Sequence, residues 1–186
     1  MQTAIAKAAK HLFETEGYGN VSMRSIAKEV GCTPMTLYGY YAAKIDILQT
    51  LWSGVFEDLF GTMNTVKAKA KPEDYLVAIS KAYLDYWLTH PEHYRLVFMA
   101  EGVTQPDVSI FVDQPDIAAR FEIFSNALAK ASGNGIAPAA LKMKFDLLIC
   151  ILHGIAHNFI TISGYGWTSP DKLLRSGVNA VLADGK

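Results

Sequence analysis

Apolar residues recur at three- and four-residue spacing along almost the whole chain, and the strict alternation of a half-buried strand is rare. That pattern predicts an all-α protein of about nine helices. A first helix covers residues 3–16, with Ile5, Ala8, Ala9, Leu12 and Phe13 on one face and Gly17 as its stop. A second begins after Ser22, whose hydroxyl can cap free backbone N–H groups, and ends at Gly31. Thr33 can cap a short third helix with Pro34 at its first position, where no N–H is needed. The stripe Ile47, Leu48, Leu51, Trp52, Val55, Leu59 and Met63 predicts a fourth helix over 44–67, long enough to connect two domains.

Punctuation places the rest. Lys71-Pro72-Glu73-Asp74 reads as a helix start and His90-Pro91 as a break, giving a fifth helix at 73–89 and a sixth at 91–99. Gly102 to Pro115 reads as the least regular stretch. A seventh helix at 115–131, an eighth at 138–163 and a ninth at 170–183 follow, separated by Ser132-Gly133-Asn134-Gly135 and Gly164-Tyr165-Gly166.

Composition narrows the class of protein. With 186 residues and 51% hydrophobic content the chain can bury a sizeable core, and a net charge of -1 gives no general attraction to polyanions. Any nucleic-acid binding must therefore come from a local arrangement. Cys32 and Cys150 stand far apart without metal-ligand spacing, as expected in a reducing interior. Residues 1–20 carry His11, Glu14 and Glu16 among the apolar positions, so no secretory signal is expected. Asp146, His153, His157 and Asn158 interrupt the most apolar stretch, 145–163, which reads as a buried helix rather than a membrane span. A cytoplasmic protein without membrane association is the expectation.

The second and third helices, joined through Gly31-Cys32-Thr33, have the size and punctuation of a helix-turn-helix. Ala27 is small where helices must approach, and Ile26, Val30 and Leu37 supply apolar anchors. With Leu37 inward, about 100° of rotation per residue sends Met35, Thr36, Gly39 and Tyr40 outward or to the flanks, neutral groups able to enter a major groove. Tyr38 can give a phosphate a hydroxyl hydrogen bond. Lys44 adds charge at the positive end of the fourth helix, and Arg24 can reach a phosphate or base edge.

From Ile5 to Leu51 the run IAKAAKHLFETEGYGNVSMRSIAKEVGCTPMTLYGYYAAKIDILQTL carries AA-x-x-LF, EGY, SM-x-x-IA, G-x-T-x-x-TLY and Y-x-x-K in order. It closely resembles the DNA-binding domain of the tetracycline-repressor (TetR) family. The resemblance implies a three-helix DNA-binding head, a linking fourth helix, an effector-binding body and dimerisation through the last two helices. It implies DNA-binding roles for Arg24, Thr33, Met35, Thr36, Tyr38, Tyr40 and Lys44. Three features depart from the family pattern: Tyr41 replaces the commoner phenylalanine, Gly39 stands where a larger or basic residue is frequent, and residues 1–2 hold none of the basic arm that many members carry before the first helix, so either the numbered chain starts late or DNA is expected to be held with fewer charges. Within residues 1–50, Lys7, Lys10, Arg24, Lys28 and Lys44 face Glu14, Glu16, Glu29 and Asp46, a near balance. Arg24 and Lys44 are expected to neutralise on the order of four to six phosphates per dimer.

Residues 1–46 are thus read as the helix-turn-helix domain and 47–186 as an effector-binding and dimerisation domain. In the latter, HPEHYRLVF at 90–98 and His153-Gly154 resemble a TetR subgroup with a tryptophan-histidine-glycine signature, although Leu152 precedes His153 here. Phe56, Phe60, Tyr83, Trp87, Phe98, Phe121, Phe124 and His153 are the expected lining of an apolar effector pocket, with Tyr83, Trp87 and His153 as polar handles. Gly154, His157, Leu174, Val178 and Val181 are the expected dimer contacts, with Ala156 and Ser163 also allowing close approach. His153 and His157 stand four apart, but no third ligand is evident, so no metal and no cofactor are expected. No nucleophile elbow, phosphate loop or H-E-x-x-H is present, which argues against an enzyme.

The reading is a ligand-responsive regulator, expected to be a repressor. As a homodimer it binds a near-palindromic double-stranded DNA operator, and a small hydrophobic effector releases it. A hydrophobic-ligand carrier whose head no longer binds DNA is the alternative, since the local charge is low.

Overall fold

The computed structural model describes residues 1–112, 114–133 and 135–183, and every regular element among them is an α-helix. They run α1 Gln2–Glu16, α2 Met23–Val30, α3 Pro34–Tyr38, α4 Lys44–Asn64, α5 Pro72–Thr89, α6 Pro91–Phe98, α7 Gln105–Val112, α8 Pro115–Ala131, α9 Pro138–Thr161 and α10 Pro170–Ala183. No helix among these residues is long and apolar enough to cross a membrane. Asn134, within the turn expected before the helix at 138, lies outside the described residues.

Prolines mark the helix starts. Pro34, Pro72, Pro91, Pro115, Pro138 and Pro170 are each the first residue of a helix, and Pro106 is the second residue of α7. The stretch expected to be irregular therefore contains one further helix. Thr104 precedes it, and both the backbone N–H and the hydroxyl of Thr104 donate to Asp107 Oδ2, at 2.9 and 2.7 Å. A side chain in the first turn thus closes that turn from within, as in a capping box. The fourth helix is shorter than expected and ends at Asn64. There the N–H groups of Thr65 and Val66 bond carbonyls three residues back, and the last turn tightens out of α-helical geometry.

The chain packs as two compact units. The first comprises Met1–Asp58 and Glu92–Ile117, the second Leu59–Pro91 and Ala118–Lys186. In the first, α1 buries Ile5, Ala9, Leu12 and Phe13, the face its periodicity marks. The early part of α4 contributes Ile47, Leu48 and Trp52, all 0% exposed. The Trp52 indole N–H donates to the carbonyl of Leu96 at 2.9 Å, so a buried polar atom is satisfied. Phe111 of α7 meets Trp52 edge-on at 5.3 Å and Phe56 at 5.6 Å between ring centres. The extra helix is therefore part of this core.

In the second unit α10 packs on α9 and α5. Its stripe Leu174, Val178 and Val181 is buried there. Two polar ties fix the arrangement. Lys81 Nζ on α5 lies 2.7 Å from Asp171 Oδ1 in the first turn of α10. At the other end the buried Lys144 of α9 donates to the carbonyl of Val181 at 2.5 Å, a cation at the negative end of the helix.

The close helix approach lies at Gly177, which periodicity alone does not single out. A Cβ there would stand 2.6 Å from Ile151 Cγ2, whereas nothing of the chain lies within 4 Å of a Cβ added at Gly154. Ile151 is β-branched and stiff, so it cannot swing aside easily. We expect Gly177→Ala to destabilise the protein by about 1–3 kcal/mol despite the better helix propensity of alanine. Gly61→Ala, where likewise nothing lies within 4 Å of the added Cβ, should cost nothing. Equilibrium urea unfolding of the two variants checks the pair, and equal stabilities would refute the close approach.

Candidate nucleic-acid interface

The helix-turn-helix is closed by local hydrogen bonds. Ser25 N–H donates to Ser22 Oγ at 3.1 Å while Ser22 N–H donates to Ser25 Oγ at 2.9 Å, a reciprocal cap on α2. At its other end Gly31 takes φ +75°, the left-handed region that favours glycine, and Cys32 N–H reaches back to the carbonyl of Ala27 at 2.9 Å. Thr33 Oγ1 then accepts from Thr36 N–H at 3.1 Å and opens α3. Leu37 is 0% exposed and pins this short helix to the buried Ile26 and Ala27 side of the head.

With Leu37 inward, Met35, Thr36, Gly39 and Tyr40 are exposed as the rotation predicts, and Tyr38 is exposed with them. Met35 is 83% exposed, Tyr38 54% and Tyr40 47%, and Thr36 is exposed with its hydroxyl 2.9 Å from that of Thr33. Arg24, in the first turn of α2, is exposed. Thr33 is exposed too, but its hydroxyl already serves as the cap.

Lys44 differs from the expectation. Its ammonium donates to the carbonyls of Tyr18 at 2.5 Å and Val21 at 2.7 Å, and it stands 4.0 Å over the Tyr18 ring. Partial burial lowers its pKa. The first turn of α4 is also supplied with an anion from its own chain, because Ala43 N–H donates to Asp46 Oδ2 at 2.8 Å. Lys44 therefore clamps the α1–α2 loop to α4, a structural role beyond the phosphate contact expected of it, with two of its three N–H groups engaged. The backbone carbonyls that hold it cannot be foreseen from residue spacing.

The residues expected to form one effector pocket fall in both units. Phe56 and Phe98 belong to the first, where Phe56 packs on Phe111 and Phe98 lies 5.0 Å from Tyr94. Phe60, Tyr83, Trp87, Phe121, Phe124 and His153 belong to the second. There Phe60 meets Phe121 at 5.0 Å, and Tyr83 lies against Phe124 at 5.5 Å and Trp87 at 5.9 Å. The Tyr83 hydroxyl shares a 2.8 Å hydrogen bond with His153 Nε2. Burial lowers the pKa of His153 to about 4, so the ring is neutral near pH 7. His157, one turn on, is exposed. One turn before Tyr83, the fully buried Ser80 hydroxyl has no hydrogen-bond partner among the described residues.

The expected dimer contacts need correction at α10. Leu174, Val178 and Val181 are 0–1% exposed within the single chain, and Ala156 is likewise buried, so none of these side chains is available to a partner. Gly154 and His157 are exposed. They belong to a different stripe of α9, formed by Met143, Leu147, Cys150, Gly154, His157 and Thr161, all exposed and spaced alternately four and three residues apart. Sequence reading also missed a cleft of about 350 Å³ in the first unit, lined by Phe13, Tyr18, Glu92, Arg95, Leu96 and Met99 among others. None of the expected pocket residues lines it.

Comparison with known proteins fits this geometry. Residues 5–51 match the family described as bacterial regulatory proteins, tetR family, and residues 76–180 match the tetracyclin repressor-like C-terminal domain. The second match alone covers more than half of the chain. The chain belongs to the TetR family of transcriptional regulators. Its head is the DNA-binding helix-turn-helix of that family.

The HTH-type transcriptional activator FasR of Mycolicibacterium smegmatis (strain ATCC 700084 / mc(2)155) is 27% identical over 103 residues, 55% of this chain and 47% of FasR. The match thus spans about half the length of that relative. A TetR-family protein from Syntrophomonas wolfei str. Goettingen aligns with a TM-score of 0.71 at 13% identity, over 97% of this chain and 92% of that one. One from Shewanella sp. PV-4 gives 0.67 at 18% identity, over 97% and 95%. The TetR-family regulator PfmR from Thermus thermophilus gives 0.62 at 16% identity, over 96% of each chain. At these identities the likeness is one of fold.

Two outcomes follow from the geometry. Lys44→Met should lower the melting temperature of the protein yet leave the salt dependence of DNA binding unchanged. A log–log slope shallower by roughly 0.9 for each copy of the chain bound would instead return Lys44 to the phosphates. For His153, the unfolded side chain titrates near 6.5 and the folded one near 4. Between these values the unfolded state binds more protons, so stability present above pH 6.5 is lost as the pH falls towards 4, by about 2–3 kcal/mol. His153→Gln should flatten that part of the profile in urea unfolding, and an unchanged slope would place the titration elsewhere.

Proposed function

We propose that this TetR-family regulator binds a near-palindromic operator as a homodimer and that a small, mostly hydrophobic effector changes its affinity for that site. The observation that carries the DNA reading is the exposed neutral face of α3, held between capped helices. Met35, Tyr38 and Tyr40 expose apolar area within six residues of one another, which suits a surface that meets a partner. Residues 1–46 act as the DNA-binding domain, with Arg24 and Tyr38 on phosphates and Met35 and Thr36 towards the bases. Residues 47–186 supply effector binding and dimerisation.

The dimer is supported by the stripe on α9. Exposed apolar and small residues at alternating four- and three-residue spacing are the seam of a helix pair, and a two-fold axis would match Leu147, Cys150 and Gly154 with their own copies. The effector reading is supported by the aromatic cluster of the second unit. Its polar groups are few: the Tyr83–His153 pair, the Trp87 indole N–H and the Ser80 hydroxyl, which has no partner among the described residues, and they suit a ligand that is largely apolar with one or two hydrogen-bonding groups. The residues of α4 belong partly to each unit, so this helix carries the coupling.

A repressor is the simplest reading, although the FasR relative is named an activator. The sense of regulation depends on where the operator lies relative to the promoter. The protein alone does not set it.

Fragments of the source genome are selected with the purified protein, and bound fragments are sequenced. Enrichment of a near-palindrome with half-sites about one helical turn or more apart is expected. Failure to enrich any site would favour a ligand carrier with an inactive head. Leu147→Arg should convert the dimer to a monomer in analytical ultracentrifugation and abolish operator binding while leaving the unfolding profile close to native. A variant that stays dimeric would move the interface off α9.

A further inference from the structure

We infer that α3 reads the C5-methyl groups of thymine, so that each operator half-site places A·T pairs rather than guanine under this helix, with Met35 the principal reader. The inference rests on the DNA-binding reading above and specifies its target.

Base edges in the major groove are recognised by a small set of partners. Guanine takes arginine or lysine on O6 and N7, adenine takes asparagine or glutamine on N6 and N7, cytosine gives its N4 hydrogen to a carboxylate, and thymine offers a methyl group to apolar contact. Residues 31–43, from the end of α2 through α3 to the start of α4, contain no charged side chain, no amide and no histidine. The side chains that could form bidentate hydrogen bonds to a purine are therefore missing from the recognition helix and both its flanks. What the helix can present is a thioether, methyl groups, hydroxyls and rings.

The hydroxyls are largely accounted for. Those of Thr33 and Thr36 lie 2.9 Å apart, and the Thr33 oxygen also accepts the Thr36 N–H at 3.1 Å. Each is turned to the other as part of the helix cap. The hydroxyls of Tyr38 and Tyr40 sit at the far ends of long rings, a reach that suits phosphates flanking the groove. Met35 remains. At 83% it is the most exposed large apolar side chain among the described residues, above Tyr165 at 64% and Met143 at 61%. An unbranched, polarisable thioether adapts its shape to a neighbouring methyl group, and covering both surfaces removes apolar area from water.

The test uses the duplex selected by the protein. Each thymine is replaced singly by deoxyuridine, which removes the methyl group and keeps the Watson–Crick pair. We expect roughly three- to tenfold weaker binding at one or two thymines in each half-site. Met35→Ala should bind the thymine and uracil duplexes alike, Met35→Leu should keep the difference, and Tyr38→Phe should weaken both by the same factor. Met35→Ala should also keep the native dimer mass. A reduced mass would assign the face to self-association and overturn the inference. So would unchanged affinity when every thymine of the half-sites is replaced, or a thymine-to-uracil ratio that survives Met35→Ala. Those results leave the regulator reading standing. Only failure to select any duplex removes both.

Discussion

The head depends on one ammonium group. Lys44 joins two carbonyls of the α1–α2 loop and the Tyr18 ring to the first turn of α4. Loop carbonyls turned away from water need partners, and this side chain supplies two of them at once. The consequence reaches α3. A helix of five residues has no stability of its own, because one or two hydrogen bonds cannot offset the ordering of the first turn. Its direction is imposed by what precedes and follows it: the capped α2 with its Gly31 turn on one side, and the clamped start of α4 on the other. The direction of α3 is therefore tied to the position of the start of α4 at Lys44.

Helix existence was the most legible level, and proline is the reason. A residue that lacks an N–H and has a fixed φ is tolerated in the first turn and costly further in. Six helices begin on a proline, and the helix that periodicity missed, α7, carries Pro106 at its second position behind Thr104. Its signal was present, but eight residues offer too little apolar periodicity to compete with the neighbouring Gly102 and Pro115. Side-chain destinations were less legible. The apolar stripe of α10 shows that it has an inward face, yet amphipathicity does not say whether α9 of the same chain or a partner covers it. Leu174, Val178 and Val181 are covered by their own protomer. In α9 the difficulty is opposite, since Leu148 and Leu152 inside and Met143 and Leu147 outside look alike in sequence.

The polar pair in the second unit obeys a related constraint. Tyr83 is 1% exposed and its hydroxyl requires a partner, while His153 is neutral because burial penalises its charged form. A neutral imidazole can donate from one nitrogen and accept at the other, so it satisfies the phenol without placing a charge among Phe124 and Trp87. Lysine or arginine at this position would bring an unpaired charge into the aromatic cluster. The site thus keeps hydrogen-bonding capacity at low polarity, and the expected ligand is apolar for the same reason.

A neutral reading face changes how the DNA and effector functions fit together. Phosphate contacts raise affinity for every sequence, so under the proposed function the near-balanced charge of residues 1–50 would leave them a small share of the binding. Discrimination by the proposed dimer would then come from the fit of α3 in the groove and from the pairing of two heads. Each is sensitive to geometry, because methyl contacts fade over a fraction of an ångström and two half-sites tolerate one spacing. A coupling of about 1–3 kcal/mol between effector and DNA sites is ordinary. Against a strongly basic head such a coupling would lower occupancy while leaving the protein on DNA through its charges. Under the proposed function, the same coupling against this head would remove the protein from its operator, since little electrostatic attraction would remain once the spacing is lost.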